Sequence, residues 1–310
     1  SWAVLSTGIA GGGAAGTTEP AFTPVQPADF SVPGSLSNSW ADFDRDGDLD
    51  LAVSIKTGEI RLYRNDRGTF TNIGPAVGLP VSGAEMRGLS WGDYDGDGWF
   101  DLYAGATKAT EANLLFRNEG GRRFVAQDLE PVTPGRSGRQ SSWVDFDNDG
   151  DLDLFTADRA GPNALFRQDA GRFVRVGADR AGDDARPTVG ACWFDYDRDG
   201  DLDLFLANQA GATDALWRND GDRFVDVAPA LGMARPGRPV EDGSVGCAVG
   251  DYDNDGELDL FVTSYGVNIL YRNKGDGRFE DAAPRLGLAE DNHAVGAAWG
   301  DYDNDGWLDL

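Results

Sequence analysis

One nine-residue pattern, Asp-x-Asp-x-Asp-Gly-x-x-Asp, occurs six times in this chain, beginning at Asp42, Asp93, Asp145, Asp195, Asp251 and Asp301. Successive starts lie 51, 52, 50, 56 and 50 residues apart, a period that demands a tandem array of like units. A tryptophan precedes the pattern by two residues in five units (Trp40, Trp91, Trp143, Trp193, Trp299), with Val249 in the remaining one. An apolar run such as Leu202-Asp203-Leu204-Phe205-Leu206 follows the pattern. A second run ends in Arg-Asn or Arg-Gln (Arg64-Asn65, Arg117-Asn118, Arg167-Gln168, Arg218-Asn219, Arg272-Asn273), and a Gly-bearing turn then leads to a phenylalanine (Phe70, Phe124, Phe173, Phe224, Phe279). Each unit reads as four short strands, A to D, with the acidic loop between A and B. Four strands per repeat describe a propeller blade.

The predicted fold is therefore all-β, a β-propeller of four-stranded blades. From Asp301 to the C-terminus and on from Ser1 to Asp42 is 51 residues, one further repeat, which favours six blades with the last one composed from both chain ends. Phe22 then stands where Phe124 stands in its own unit, but strand C of the composite blade falls on Gly11 to Gly13, which pack poorly. A seven-bladed parent continuing past Leu310 is the alternative. Residues 1–20 are read as a Gly-rich segment, a linker or strand rather than the remnant of a secretion signal, and residues 21–310 as a single domain.

The acidic loops carry the chemistry. Three carboxylates on alternate residues, a glycine that permits a sharp turn, a main-chain carbonyl at position seven and a fourth carboxylate at position nine can surround one hard cation. The absence of His and Cys from every loop argues for Ca²⁺ over zinc or iron. The candidate ligands are Asp42, Asp44, Asp46, Asp48 and Asp50 in the first loop and Asp93, Asp95, Asp97, Trp99 and Asp101 in the second. The third has Asp145, Asp147, Asp149, Asp151 and Asp153, and the fourth Asp195, Asp197, Asp199, Asp201 and Asp203. The fifth has Asp251, Asp253, Asp255, Glu257 and Asp259, and the sixth Asp301, Asp303, Asp305, Trp307 and Asp309. Position seven (Asp48, Trp99, Asp151, Asp201, Glu257, Trp307) enters through its carbonyl.

Without counter-ions these clusters repel strongly, since two unit charges ~4 Å apart at an effective dielectric near 20 cost ~4 kcal/mol. Six Ca²⁺ add twelve positive charges and would bring the formal −26 to −14. Such ions are expected to take the place of a dense core and of disulfides in fastening each unit. An EF-hand shares the opening of the pattern but needs a bidentate Glu at position twelve. That position here holds Val53, Ala104, Thr156, Leu206 and Val262.

These motifs, above all Trp-Gly-Asp-Tyr-Asp-Asn-Asp-Gly-Trp-Leu-Asp-Leu (Trp299 to Leu310) and Leu-Trp-Arg-Asn-Asp-Gly (Leu216 to Gly221), resemble the calcium-binding FG-GAP/VCBS repeat β-propeller family, of integrin α-head and cartilage acidic protein type. The resemblance covers roughly residues 20–310, with Trp-Gly or Trp-x in place of the Phe-Gly of the signature. It implies a secreted, periplasmic or cell-surface location and a role in binding or assembly.

Composition excludes other classes. With 53 acidic against 27 basic residues the surface repels phosphate, so nucleic acid is not an expected partner. Apolar residues at 40% suffice for a core, and no apolar run reaches the roughly 18 residues of a membrane span. Catalysis is not expected. The single histidine, His293, falls in a polar linker, no nucleophile motif appears, and the three lysines give a propeller-type polysaccharide lyase little to work with.

Chain direction places the B-to-C and D-to-A connections on the face opposite the acidic loops. Arg136, Arg139, Arg180, Arg186, Arg235 and Arg238 collect there, and an acidic or carboxylate-bearing partner is expected at that face. Arg64, Arg117, Arg167, Arg218 and Arg272 recur with the repeat and are assigned to the surroundings of each loop. Trp99 and Trp307 are read as packing between neighbouring loops, with stacking on a partner as the alternative. Cys192 and Cys247 are read as two buried thiols, a disulfide being the alternative. The leading function is a calcium-stabilised extracytoplasmic scaffold for protein interaction, adhesion or assembly; a carbohydrate-binding lectin comes second and a propeller enzyme third.

Overall fold

Period-two alternation between turn glycines gives short strands, and in a computed structural model describing residues 24–135, 137–177, 183–221, 223–291 and 293–310 they form five four-stranded sheets. A helical turn, α1 (Pro27–Phe30), leads into β1 (Ser35–Ala41), β2 (Asp50–Ile55), β3 (Ile60–Asp66) and β4 (Thr69–Asn72). The second sheet holds β5 (Met86–Gly92), β6 (Asp101–Ala106), β7 (Leu114–Asn118) and β8 (Phe124–Gln127). The third holds β9 (Gly138–Val144), β10 (Asp153–Asp158), β11 (Ala164–Asp169) and β12 (Arg172–Arg175). The fourth holds β13 (Thr188–Phe194), β14 (Asp203–Asn208), β15 (Ala215–Asn219) and β16 (Phe224–Asp226), followed by α2 (Ala228–Leu231). The fifth holds β17 (Gly243–Gly250), β18 (Asp259–Tyr265), β19 (Ile269–Asn273) and β20 (Phe279–Asp281), followed by α3 (Ala283–Leu286).

Every sheet is an antiparallel meander in chain order, the A-to-D blade of the sequence reading. First strands of consecutive sheets lie side by side. Gln140 of β9 exchanges two hydrogen bonds with the Ala191 main chain of β13 (2.7 and 2.9 Å), and the Ser90 and Ser141 hydroxyls of β5 and β9 meet at 2.9 Å. The sixth acidic loop follows α3 and is held by a bridge between Gly300 and Asp309. Phe22, Gly11 to Gly13 and the proposed segment 1–20 lie outside the described residues, as do Arg136 and Arg180.

Two expectations are corrected. The units do not lack a dense core. Second strands β6, β10 and β14 are buried along their whole length, so both faces of these blades are covered. The faces of adjoining blades close over five clusters of buried side chains. In the first, Phe43 stacks on Trp91 (6.5 Å between centroids) and both meet Phe124 (5.8 and 5.9 Å). Between the third and fourth sheets Phe146 and Trp193 both meet Phe224 (5.9 and 6.3 Å).

The second correction concerns Cys192 and Cys247, which are not free thiols but a disulfide joining β13 to β17, with Cα atoms 6.1 Å apart. Their offsets from their own loops differ by one residue, and the strands lie side by side, so both side chains enter the same gap. The bridge ties two blades together across 55 residues.

Candidate metal centre

Each acidic loop is shaped by its own carboxylates before any ion is considered. Asp42 accepts from the main-chain N–H groups of Asp46 and Gly47 (both 3.1 Å). Asp145 does the same with Asp149 and Gly150, Asp195 with Asp199 and Gly200, Asp251 with Asp255 and Gly256, and Asp301 with Asp305 and Gly306. Asp93 accepts from Gly98 at 2.8 Å. The fifth-position carboxylate holds the N–H of position seven in all six loops: Asp46 with Asp48, Asp97 with Trp99, Asp149 with Asp151, Asp199 with Asp201, Asp255 with Glu257 and Asp305 with Trp307. The sharp turn needs a left-handed residue at position six, and the glycine there has φ between 88° and 95° in every loop.

The ninth carboxylate anchors the loop to the sheet. Asp203 accepts from the N–H of Tyr196 (3.0 Å) and of Asn219 (2.8 Å), and Asp50, Asp101, Asp153 and Asp259 repeat both bonds in their units. All five are fully buried. Burial raises Asp50 to about 6 and the other four to about 7, against the pull of the two N–H groups. In the sixth loop Asp309 is half-buried and accepts from Tyr302 at 3.0 Å.

The donor set fits a hard cation. Carboxylate oxygens of Asp42, Asp44 and Asp50 converge within 4.8 Å of one another, as do those of Asp93, Asp95 and Asp101, and of Asp145, Asp147 and Asp153. The equivalent groups in the fourth and fifth loops are Asp195, Asp197 and Asp199, and Asp251, Asp253 and Asp255. One buried oxygen of Asp44, Asp93, Asp147 and Asp253 has no hydrogen-bond partner. Third-position carboxyls Asp44, Asp95, Asp147, Asp197 and Asp253 are pushed above their usual value, first by burial, with neighbouring loop carboxylates adding to the shift. Unpaired, crowded oxygens of this kind are stabilised by a bound divalent cation.

The repeat arginines sit beside the loops, as expected. Arg64, Arg117, Arg167 and Arg218 pair with the acidic residue two positions on (2.7–3.0 Å), and Arg272 reaches into its own loop to Asp253 and Asp255 (2.5 and 2.9 Å). Sequence reasoning overlooked their neighbours. Asn118 donates to the carbonyls of Phe100 in its own loop (3.0 Å) and of Phe43 in the preceding one (2.9 Å). Gln168, Asn219 and Asn273 reach back in the same way to Tyr94, Phe146 and Tyr196 (2.8–2.9 Å). The recurring Asn or Gln after each arginine was the available signal. The loops also touch directly: Asn148 donates to Asp201 (2.9 Å), Arg198 pairs with Glu257 (2.9 Å) and Asn254 donates to the Gly306 carbonyl (3.1 Å). Trp99 packs under the Arg45 guanidinium of the previous loop at 4.8 Å, whereas Trp307 is 53% exposed.

On the opposite face the expected free arginines are largely consumed within the fold. Arg186 is held by Asp184 and Asp226 (2.5 and 2.9 Å), and Arg238, 7% exposed, pairs with the fully buried Asp214 at 3.1 Å. Arg235 donates to Ser244, Ser264 and the Val267 carbonyl. Carboxylates buried at these blade edges need a counter-charge, which the chain itself supplies.

Residues 42–104, 145–206, 195–262 and 251–310 match the FG-GAP-like repeat. The chain is 30% identical to cartilage acidic protein 1 of Homo sapiens and 26% identical to that of Mus musculus, over 89% and 86% of its length. It spans 39% and 47% of those relatives. Among solved structures, a lectin of Agrocybe aegerita described as recognising non-reducing terminal N-acetylglucosamine superposes with a TM-score of 0.52 at 19% identity, over 80% of this chain and 65% of the lectin. That likeness shows the fold.

Proposed function

The chain belongs to the FG-GAP-like repeat family, and we propose that each of its six acidic loops holds one Ca²⁺, so that the blades form a rigid scaffold for a protein partner outside the cytoplasm. The observation that carries the reading is the unpartnered buried oxygen of Asp44, Asp93, Asp147 and Asp253, which falls in the acidic loop of four separate repeats. The ligands are the carboxylates at positions one, three, five and nine, with the carbonyl of position seven: Asp48, Trp99, Asp151, Asp201, Glu257 or Trp307. The ion supplies fixed positive charge. The chain supplies the turn, the buried ninth carboxylate and the Asn or Gln that ties each loop to its neighbour.

The Cys192–Cys247 disulfide supports an oxidising compartment, secreted, periplasmic or at the cell surface. Among the described residues no helix is long and apolar enough to cross a membrane. The repeat family supports a non-enzymatic role. The fold shared with the lectin that recognises non-reducing terminal N-acetylglucosamine prompts, as a second reading, binding of a glycan.

Partner capture from an extracellular or envelope fraction, with and without chelator, tests the scaffold. Retention of the same proteins in calcium and their loss in EGTA is the expected result, and equal capture in both would remove the calcium-dependent scaffold. A glycan array separates the second reading: multivalent binding to one sugar class would favour it.

Acidification is expected to weaken calcium binding. In the ion-free protein Asp101, Asp153, Asp203 and Asp259 titrate near 7, so below that value an entering ion must displace a proton. These groups are raised in the folded state, so the ion-free protein loses their contribution as pH rises from about 4 through 7. Calcium binding carries the opposite slope. Calorimetric titrations at pH 5.5 and 7.5 in buffers of different ionisation enthalpy check it: weaker binding with proton release at the lower pH is expected, and pH-independent affinity would contradict the burial of these carboxyls.

A further inference from the structure

Among the described residues on the face opposite the acidic loops, the Arg139 guanidinium is not consumed within the fold. Arg139, the second residue of β9, is half-buried, and its Nε and Nη1 are buried without a hydrogen-bond partner. Buried donors of a cation are costly to leave without a partner, and a counter-charge that reaches them removes that cost.

The backbone assembles two more arginines around it. Arg87 of β5 pairs in register with Gly105 of β6, and a Cβ on Gly105 would stand 3.7 Å from the Cα of Gly138, the neighbour of Arg139. A Cβ on Gly88 would come within 2.9 Å of the Arg139 carbonyl, so glycine at 88 lets β5 and β9 approach. Arg159 is held nearby by its N–H to the Ser137 carbonyl at 3.3 Å. Burial first, and then the charges of Arg87 and Arg159, disfavour the Arg139 cation, while Glu85 and Asp158 offset part of this.

The acidic groups within reach are already engaged. Glu85 accepts from Arg87 and from the Thr107 hydroxyl (both 3.1 Å). Asp158 accepts from the N–H groups of Ala160 and Gly161 (both 2.8 Å) and of Ser137 (3.0 Å). Three arginines therefore lie near one another in a chain of net charge −26, and Arg139 among them has donors without a partner.

We propose that Arg139, with Arg87 and the exposed Arg159 at its rim, forms a binding site for an oxyanion, a carboxylate or sulfate, between the second and third blades at the end opposite the acidic loops. A planar guanidinium offers paired donors matched to a carboxylate, and charge-assisted bonds of this kind are strong where water is excluded. The site stands on residues outside the calcium loops, so it is independent of the scaffold reading. Two sources share this chemistry, a free small anion and the acidic side chain of a protein partner.

The experiment titrates the whole protein in millimolar calcium with succinate, with sulfate and with a fluorescent Glu-rich peptide at constant ionic strength. Arg139→Gln is expected to lower affinity for the binding species at least about tenfold, and Arg159→Gln, a change at an exposed rim position, about threefold. Arg123→Gln, which removes an equal charge from an exposed side chain elsewhere, is expected to leave it unchanged. Should Arg139→Gln fold poorly, the rim variant decides. Succinate or sulfate binding without the peptide assigns a free-anion site; peptide binding at least about tenfold tighter assigns a partner's carboxylate. Absence of binding by all three probes, or equal losses in Arg159→Gln and Arg123→Gln, would overturn the proposal.

Discussion

Transfer of the protein from millimolar calcium into excess EGTA is expected to produce the largest loss of stability of any change considered for it. A site held at about ten times its Kd contributes about 1.4 kcal/mol, and six such sites about 8 kcal/mol, comparable with the stability of a whole domain. The loss has a second source. Without cations the third-position carboxyls Asp44, Asp95, Asp147, Asp197 and Asp253 face neighbouring charges at close range, and they are pushed upward first by burial and then by the other carboxylates of their own loops. Thermal unfolding followed by circular dichroism in calcium, in EGTA and in EGTA with excess magnesium measures the effect. A large downward shift in EGTA that magnesium does not restore is expected, because magnesium demands tighter octahedral geometry and gives up its water reluctantly. Coincident curves in calcium and EGTA would mean that the acidic loops hold themselves.

The second large effect concerns the interfaces between blades. Phe146 is 1% exposed and occupies position two of the third loop, yet its ring packs 5.9 Å from Phe224 of the next sheet. Its N–H donates to Asp153 and its carbonyl accepts from Asn219. Phe146→Ala is expected to cost about 3–5 kcal/mol through the cavity it leaves. It should also weaken calcium at the third loop, since the same residue orients the ninth carboxylate. Phe100→Ala, at a position 44% exposed, is the control, with a cost below about 1 kcal/mol expected. Denaturant unfolding of both variants in saturating calcium decides: similar small costs would show that the aromatic contact between blades is not what couples loop to core.

The two effects meet in the same residues, which explains what the sequence could and could not say. A fixed period, alternation of apolar residues and turn glycines are local signals, and they specified the four-stranded unit, its strand order and the loop between A and B. Contacts between repeats are not local. Asn118 bonds to Phe43 across 75 residues, and nothing in the spacing says which neighbour an amide will choose. The same holds for Cys192 and Cys247: their offset from the loops narrowed the geometry to one gap or none, and only the packing of β13 against β17 closed it. The arginines of the opposite face were visible as charges, but their partners Asp184 and Asp214 are brought to them by the fold. The cores between blades were not legible because the burial of both faces of strands such as β10 (Asp153–Asp158) depends on the neighbouring blades that cover them.

Within the acidic loops the legible part was chemical: oxygen donors at positions one, three, five and nine. The part that was not legible was mechanical. Asp203 serves as a hydrogen-bond anchor for Tyr196 and Asn219 as well as a candidate ligand, so its replacement by Asn would disturb the sheet and the site together.

Counting the bound ions is the most direct test of the central claim. Native mass spectrometry of the protein dialysed against calcium is expected to show six Ca²⁺, one per loop, with one ion lost in Asp147→Asn, whose side chain carries an unpartnered buried oxygen. A protein that retains its fold and carries no calcium at millimolar concentration would contradict it.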